Sequence, residues 1–137
     1  MGMFNYVFWD GKLNGPMPKK QTLDTAFQTK SLFPCNMDVY YVSDFYGTMY
    51  VVPWSVDWEL GSESGHRPDL KWFREHVKEF APANPHRAMS FYTTIGGKWV
   101  EYIAGFEHGE RMFCYLVNYD GNRFCDLSKP DGESWAE

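Results

Sequence analysis

Lys71, Arg74 and Lys78 recur at intervals of three and four residues, the spacing that lines cations along one side of an α-helix. Arg67 stands a turn earlier, and His86-Arg87 follows the segment. Cations so placed can converge on a phosphate or carboxylate. Trp72 and His76, four apart on the neighbouring flank, offer ring faces beside them. Lys71, Arg74, Lys78, Trp72, His76, His86 and Arg87 are therefore the candidate binding residues for a small anionic, nucleotide-like ligand. A solvated helix face paired with local acids accounts for the same pattern.

A second candidate surface is aromatic. Rings make up 19% of the chain, and most of them are expected in the core, where they bury much area per residue. Trp54, Trp58 and Trp135 fall among acids outside the best strand patterns. An aromatic surface with an acidic rim suits docking onto a basic protein partner. Trp54 and Trp58, with Trp99, are the candidate partner-binding residues.

Catalytic chemistry has less to stand on. His66, His76 and His86 are ten residues apart, which is not a metal-ligand spacing. His108-Gly109-Glu110 matches half of a zinc deaminase signature, but the Pro-Cys-x-x-Cys half is missing and Cys114 and Cys125 are eleven apart. A tight turn explains His108-Gly109 without chemistry. Cys35, after Pro34, could act as a nucleophile with a histidine, and a buried thiol is the plainer reading. Phosphate-loop, dinucleotide, nucleophile-elbow and zincin motifs do not occur. No catalytic residue, metal ligand or cofactor is assigned. The expectation leans away from an enzyme, with a small hydrolase or transferase using His76, His86 or His108 and a carboxylate as the alternative.

The totals restrict the classes further. The 137 residues suit one domain with a real core, and a net charge of −5 disfavours general nucleic-acid binding. Charge is uneven: residues 37–66 hold five acids and no Lys or Arg, residues 67–98 six basic residues against three acids, and residues 99–137 eight acids against three basic residues. Three cysteines without a CxxC pair suggest free thiols in a reducing, cytoplasmic setting. No secretory leader, membrane-spanning run or N-glycosylation sequon is read.

The elements that must position these residues form an expected α+β domain over 1–127, with a flexible acidic tail over 128–137. Its sheet is expected to be antiparallel and dominated by a C-terminal four-stranded meander, about 89–127, joined by the two-residue turns Gly96-Gly97, His108-Gly109 and Asp120-Gly121. Strict two-residue loops would place Gly105 opposite Met112 and Val117 opposite Phe124. Met89, Phe91, Val100, Tyr102, Ala104, Phe113, Tyr115, Val117 and Phe124 would then share the core face. Tyr92, Trp99, Glu101, Ile103, Met112, Cys114, Leu116, Cys125 and Leu127 would share a mixed face needing a cover, from a helix, a ligand, a partner or a second copy of the chain.

An N-terminal strand over 4–9 and a hairpin over 38–52 add to the sheet. In the hairpin, Asp44 opposite Thr48 would put Tyr40, Val42, Tyr50 and Val52 on one face. A helix is predicted over 69–80, with Leu70, Phe73, Val77 and Phe80 on its apolar stripe, and a second over 22–32. The functional expectation is a non-catalytic binding protein, such as a small inhibitor or accessory protein of a mobile element. It would block a protein partner or sequester an anionic ligand, without membrane association. A structural or virion component is the third reading.

Overall fold

Val7, Phe8 and Trp9 are consecutive and fully buried, which requires apolar cover on both faces of one strand. That strand, β1 (Asn5–Trp9), lies in the interior of the sheet. The computed structural model describes residues 4–23, 25–32, 37–44, 47–53 and 69–123. The described chain is mostly sheet, with one short helix, and is α+β in broad terms. The other strands are β2 (Phe27–Thr29), β3 (Val39–Val42), β4 (Met49–Val52), β5 (Ala81–Pro82), β6 (Arg87–Ile95), β7 (Lys98–Glu107), β8 (Glu110–Tyr119) and β9 (Asn122–Arg123). Their order in the sheet is β5-β4-β3-β1-β2-β6-β7-β8-β9.

Three expectations are corrected here. The sheet is mixed, because β1 and β3 run parallel with Tyr6 opposite Val39 and Trp9 opposite Val42. The segment 22–32 is not a helix. A single turn closes through Ala26 N–H to Thr22 O at 2.7 Å, and the chain then extends into β2. Thr25 Oγ1 donates to Lys20 O and accepts from Thr22 N, local bonds of the kind that compete with helix propagation. Extension also lets Phe27 and Thr29 bury against the sheet. In the β3–β4 hairpin the register differs by one residue. Tyr41 lies opposite Tyr50 and Val39 opposite Val52, so partners assigned to opposite faces share one.

The sheet curls into a half-barrel. At one end the curl brings distant strands together: Met49 N donates to Gly109 O at 3.1 Å, Ala83 N to Met49 O at 3.0 Å and Gly109 N to Pro85 O at 2.9 Å. The inner face holds the larger core, including Val7, Trp9, Phe27, Met89, Phe91 and Tyr102. Trp9 stacks on Phe91 at 4.6 Å, and Phe91 on Tyr102 at 5.5 Å. Beyond the reach of β2, Gln21 takes the place of a neighbouring strand. Its Oε1 accepts from Trp9 N at 2.8 Å and its Nε2 donates to Trp9 O at 2.7 Å, so neither buried backbone group is orphaned.

Among the described residues, the outer face is covered over only part of its width. Helix α1 (Leu70–His76) starts where Asp69 Oδ1 accepts from Trp72 N at 3.0 Å, and it passes into a 3-10 turn over Val77–Glu79. Phe73 is its fully buried residue, and with Phe80 it packs on Phe8, Val39, Tyr41 and Val52. Register shows that this cover does not extend across the sheet. One row of paired residues runs Val52, Val39, Tyr6, Gln28, Tyr92, Glu101, Asn118, Arg123. It begins in the apolar layer beneath α1 and ends among polar side chains. The rest of the expected fourth meander strand, including Phe124, and the segment 128–137 lie outside the described residues.

Candidate functional site

The outer face of β6, β7 and β8 is the most distinctive surface among the described residues. The β6–β7 pairing is regular, with Thr94 opposite Trp99 and Tyr92 opposite Glu101. The β7–β8 pairing is not. It shifts between Gly105 and Phe106 and again between Glu101 and Tyr102. Gly105 therefore faces Phe113, Ala104 faces Cys114, Ile103 faces Tyr115 and Tyr102 faces Leu116. This corrects the uninterrupted register, because each bulge inserts one residue and exchanges the two faces of the strand beyond it. Cys114 and Leu116 turn inward against the core. Phe113 and Tyr115 turn outward, opposite Gly105 and Ile103.

The result is an exposed aromatic patch. Trp99 is 41% exposed, Phe113 39% and Met112 60%. Tyr92 stacks on Trp99 at 5.0 Å and Phe113 on Tyr115 at 5.3 Å. Glu101 accepts from the Trp99 indole N–H at 3.3 Å, which fixes the indole plane on the sheet. Phe113 lies over Gly105, where a Cβ would collide with its ring. A glycine in mid-strand commonly marks a bulge or a close approach, so Gly105 was the signal in the sequence for this rearrangement. Of the predicted partner-binding residues, Trp99 lies in the patch, and Trp54 and Trp58 lie outside the described residues.

The basic flank of α1 has a different constitution. Lys71 and Lys78 are exposed. Arg74 is engaged: its Nε donates to Asp10 Oδ2 and its Nη2 to Asp10 Oδ1, both at 2.6 Å. The guanidinium fork that would grip an anion thus already holds a carboxylate of the same chain. Trp72 stacks on His76 at 4.1 Å, and His76 Nδ1 lies 2.8 Å from Trp72 O. His86 and Arg87 are exposed, and the His86 ring meets that of His108, with centroids 5.4 Å apart. Arg67 and His66 lie outside the described residues.

Asp10 is the acceptor at the centre of a buried polar cluster. It ends β1 at 3% exposure, and its Oδ2 also accepts from the Tyr41 hydroxyl at 2.6 Å. Burial by itself would raise its pKa, but the bonds from Arg74 and Tyr41 and the Arg74 charge outweigh this and hold it below the usual carboxylate value. The same contact and burial push the Tyr41 hydroxyl well above its ordinary range. These shifts describe a pin between α1 and the sheet, with no group poised to exchange a proton near neutrality.

Asp10→Ala should therefore cost about 2–3 kcal/mol, chiefly by orphaning the buried Tyr41 hydroxyl. The half-exposed Arg74 adds little, since water replaces its partner. Because the folded pKa is depressed, the contribution is complete above the unfolded value of about 3.9 and is lost as pH falls through the lower folded value. Urea unfolding from neutrality into the acid range should show this loss in the wild type and not in Asp10→Asn.

Burial disfavours the thiolate of the one described cysteine. Burial pushes the Cys114 thiol up to about 12, against a smaller opposing effect of Arg111. At pH 8 its thiolate fraction is then on the order of a thousandfold below that of an ordinary thiol. In the native protein, alkylation of Cys114 followed by peptide mapping should be slower by a comparable factor than in urea. Cys35 and Cys125 lie outside the described residues.

Among the described residues no group of three or more His, Cys, Asp or Glu side chains is placed to hold a metal ion, and no helix is long and apolar enough to cross a membrane. Comparison with protein-family models, with curated proteins and with solved structures finds no match.

Proposed function

We propose that this chain is a non-catalytic binding protein that docks a protein partner on the outer face of β6–β8. The observation that carries the reading is the exposure of Trp99 and Phe113 on one sheet face, with Tyr92, Ile103 and Tyr115 between them and the exposed Met112 at the adjoining bulge. Large rings already stacked on a rigid sheet lose little conformational freedom on binding, which favours their use as anchors. Glu101 lies within the patch, and Glu107 and Glu110 flank the turn at one end of β7 and β8. The partner surface would accordingly combine apolar pockets with basic groups.

An anionic ligand on the α1 flank is the second reading. Lys71 and Lys78 favour it and the Arg74–Asp10 pair weighs against it. A reducing compartment accords with a chain of three cysteines. Native mass spectrometry of the chain isolated from its own cells tests the proposal: a stoichiometric protein adduct is expected. A small-molecule adduct, or a bare chain with measurable turnover, would count against it.

A further inference from the structure

The end of the half-barrel that is drawn together by Met49, Pro85 and Gly109 also brings two histidines side by side. His86 follows Pro85, whose carbonyl accepts from Gly109 N at 2.9 Å, and His108 precedes Gly109. Both backbones are therefore held by the same bond. The His108 turn is tight, with φ of 53° at His108 and 84° at Gly109. Both rings are solvent-exposed, and their centroids are 5.4 Å apart with planes inclined by 48°.

That separation has chemical meaning. Zinc–imidazole bonds are about 2.0–2.1 Å, so two rings on one tetrahedral ion place their centroids a little over ~5 Å apart. Glu107 lies opposite Glu110 across the same turn, and two carboxylates there raise the local concentration of cations. We propose that His86 and His108 form a two-nitrogen site for a divalent transition-metal ion of the zinc class. No third His, Cys, Asp or Glu converges among the described residues, so water completes the coordination and the ion exchanges readily. Imidazole donors select zinc, copper or nickel over magnesium and calcium. His86 immediately precedes β6 and His108 lies in the β7–β8 turn, so a bound ion clamps two neighbouring strand ends beyond the Arg87–Phe106 pair. Neither ligand is among the rings of the docking face.

The test is calorimetric titration of the untagged full chain with zinc chloride, with thermal unfolding and histidine 15N NMR alongside. The variants are His86→Ala and His108→Asn, the latter because Asn tolerates the left-handed turn conformation. The wild type should bind one ion, its thermal midpoint should rise with zinc, and the imidazole signals of His86 and His108 should move together. Each variant should bind at least about tenfold more weakly and lose the thermal shift. Absence of zinc binding in the wild type, wild-type affinity in either variant, or movement of other histidine signals in place of these two would overturn the site.

Discussion

Phe73→Ala should cost about 3–5 kcal/mol, a large share of the 5–15 kcal/mol typical of a domain. Phe73 is fully buried and is the residue through which α1 grips the sheet. Its ring packs edge-on to Phe8 at 4.7 Å, lies 5.4 Å from Tyr41 and 6.0 Å from Phe80. A seven-residue helix is too short to persist on its own propensity; tertiary packing must hold it. Removing the ring leaves a cavity between α1 and the sheet, and among the described residues the contact then rests on Phe80, the partly buried Leu70, Trp72 and Val77, and the Asp10–Arg74 pair. The denaturant midpoint should fall accordingly, and backbone amides of α1 should lose hydrogen-exchange protection before those of β6–β8.

Trp99→Ser with Phe113→Ser should have the opposite profile, with little change in stability and a large loss of binding. Both side chains project from the outer face and are about two-fifths exposed. Substitution at such positions shifts stability by only about 0.5–1 kcal/mol. As anchors in an interface each is worth about 2 kcal/mol or more, so affinity for the partner should fall by at least about a hundredfold. Thermal unfolding together with affinity measurement separates the two effects. A comparable loss of stability would show instead that the patch is part of the fold.

The contrast between these two surfaces reflects what local sequence can and cannot encode. The turns at Gly96-Gly97, His108-Gly109 and Asp120-Gly121 are readable, because each needs positive φ at both places and has Gly at the second. The stripe of Leu70, Phe73, Val77 and Phe80 announces a helix over 69–80, but the α-helix ends at His76, residues 77–79 form a 3-10 turn and Phe80 is extended. The bulges in β8 are not readable from alternation, since an inserted residue leaves the composition of the strand unchanged while exchanging its faces. Only Gly105 hinted at them. The parallel pairing of β1 with β3 and the bond from Asp10 to Arg74, 64 residues apart, are set by tertiary packing. Segment 22–32 misleads for a related reason: its apolar spacing fits a helix, while its hydroxyl side chains and the vacancy between β1 and β6 favour a strand. For the candidate site, the regular β6–β7 register made the outward orientation of Trp99 readable. Phe113 and Tyr115 were assigned to the core because their orientation depends on the bulge.

The central claim is that the outer face of β6–β8 is where this chain binds. Its most direct test is matched capture from the source cells, with the wild-type chain and the folded Trp99→Ser/Phe113→Ser variant as baits and quantitative mass spectrometry as the readout. The account predicts a protein recovered in stoichiometric amount by the wild type and absent from the variant. Equal recovery by both baits would contradict it.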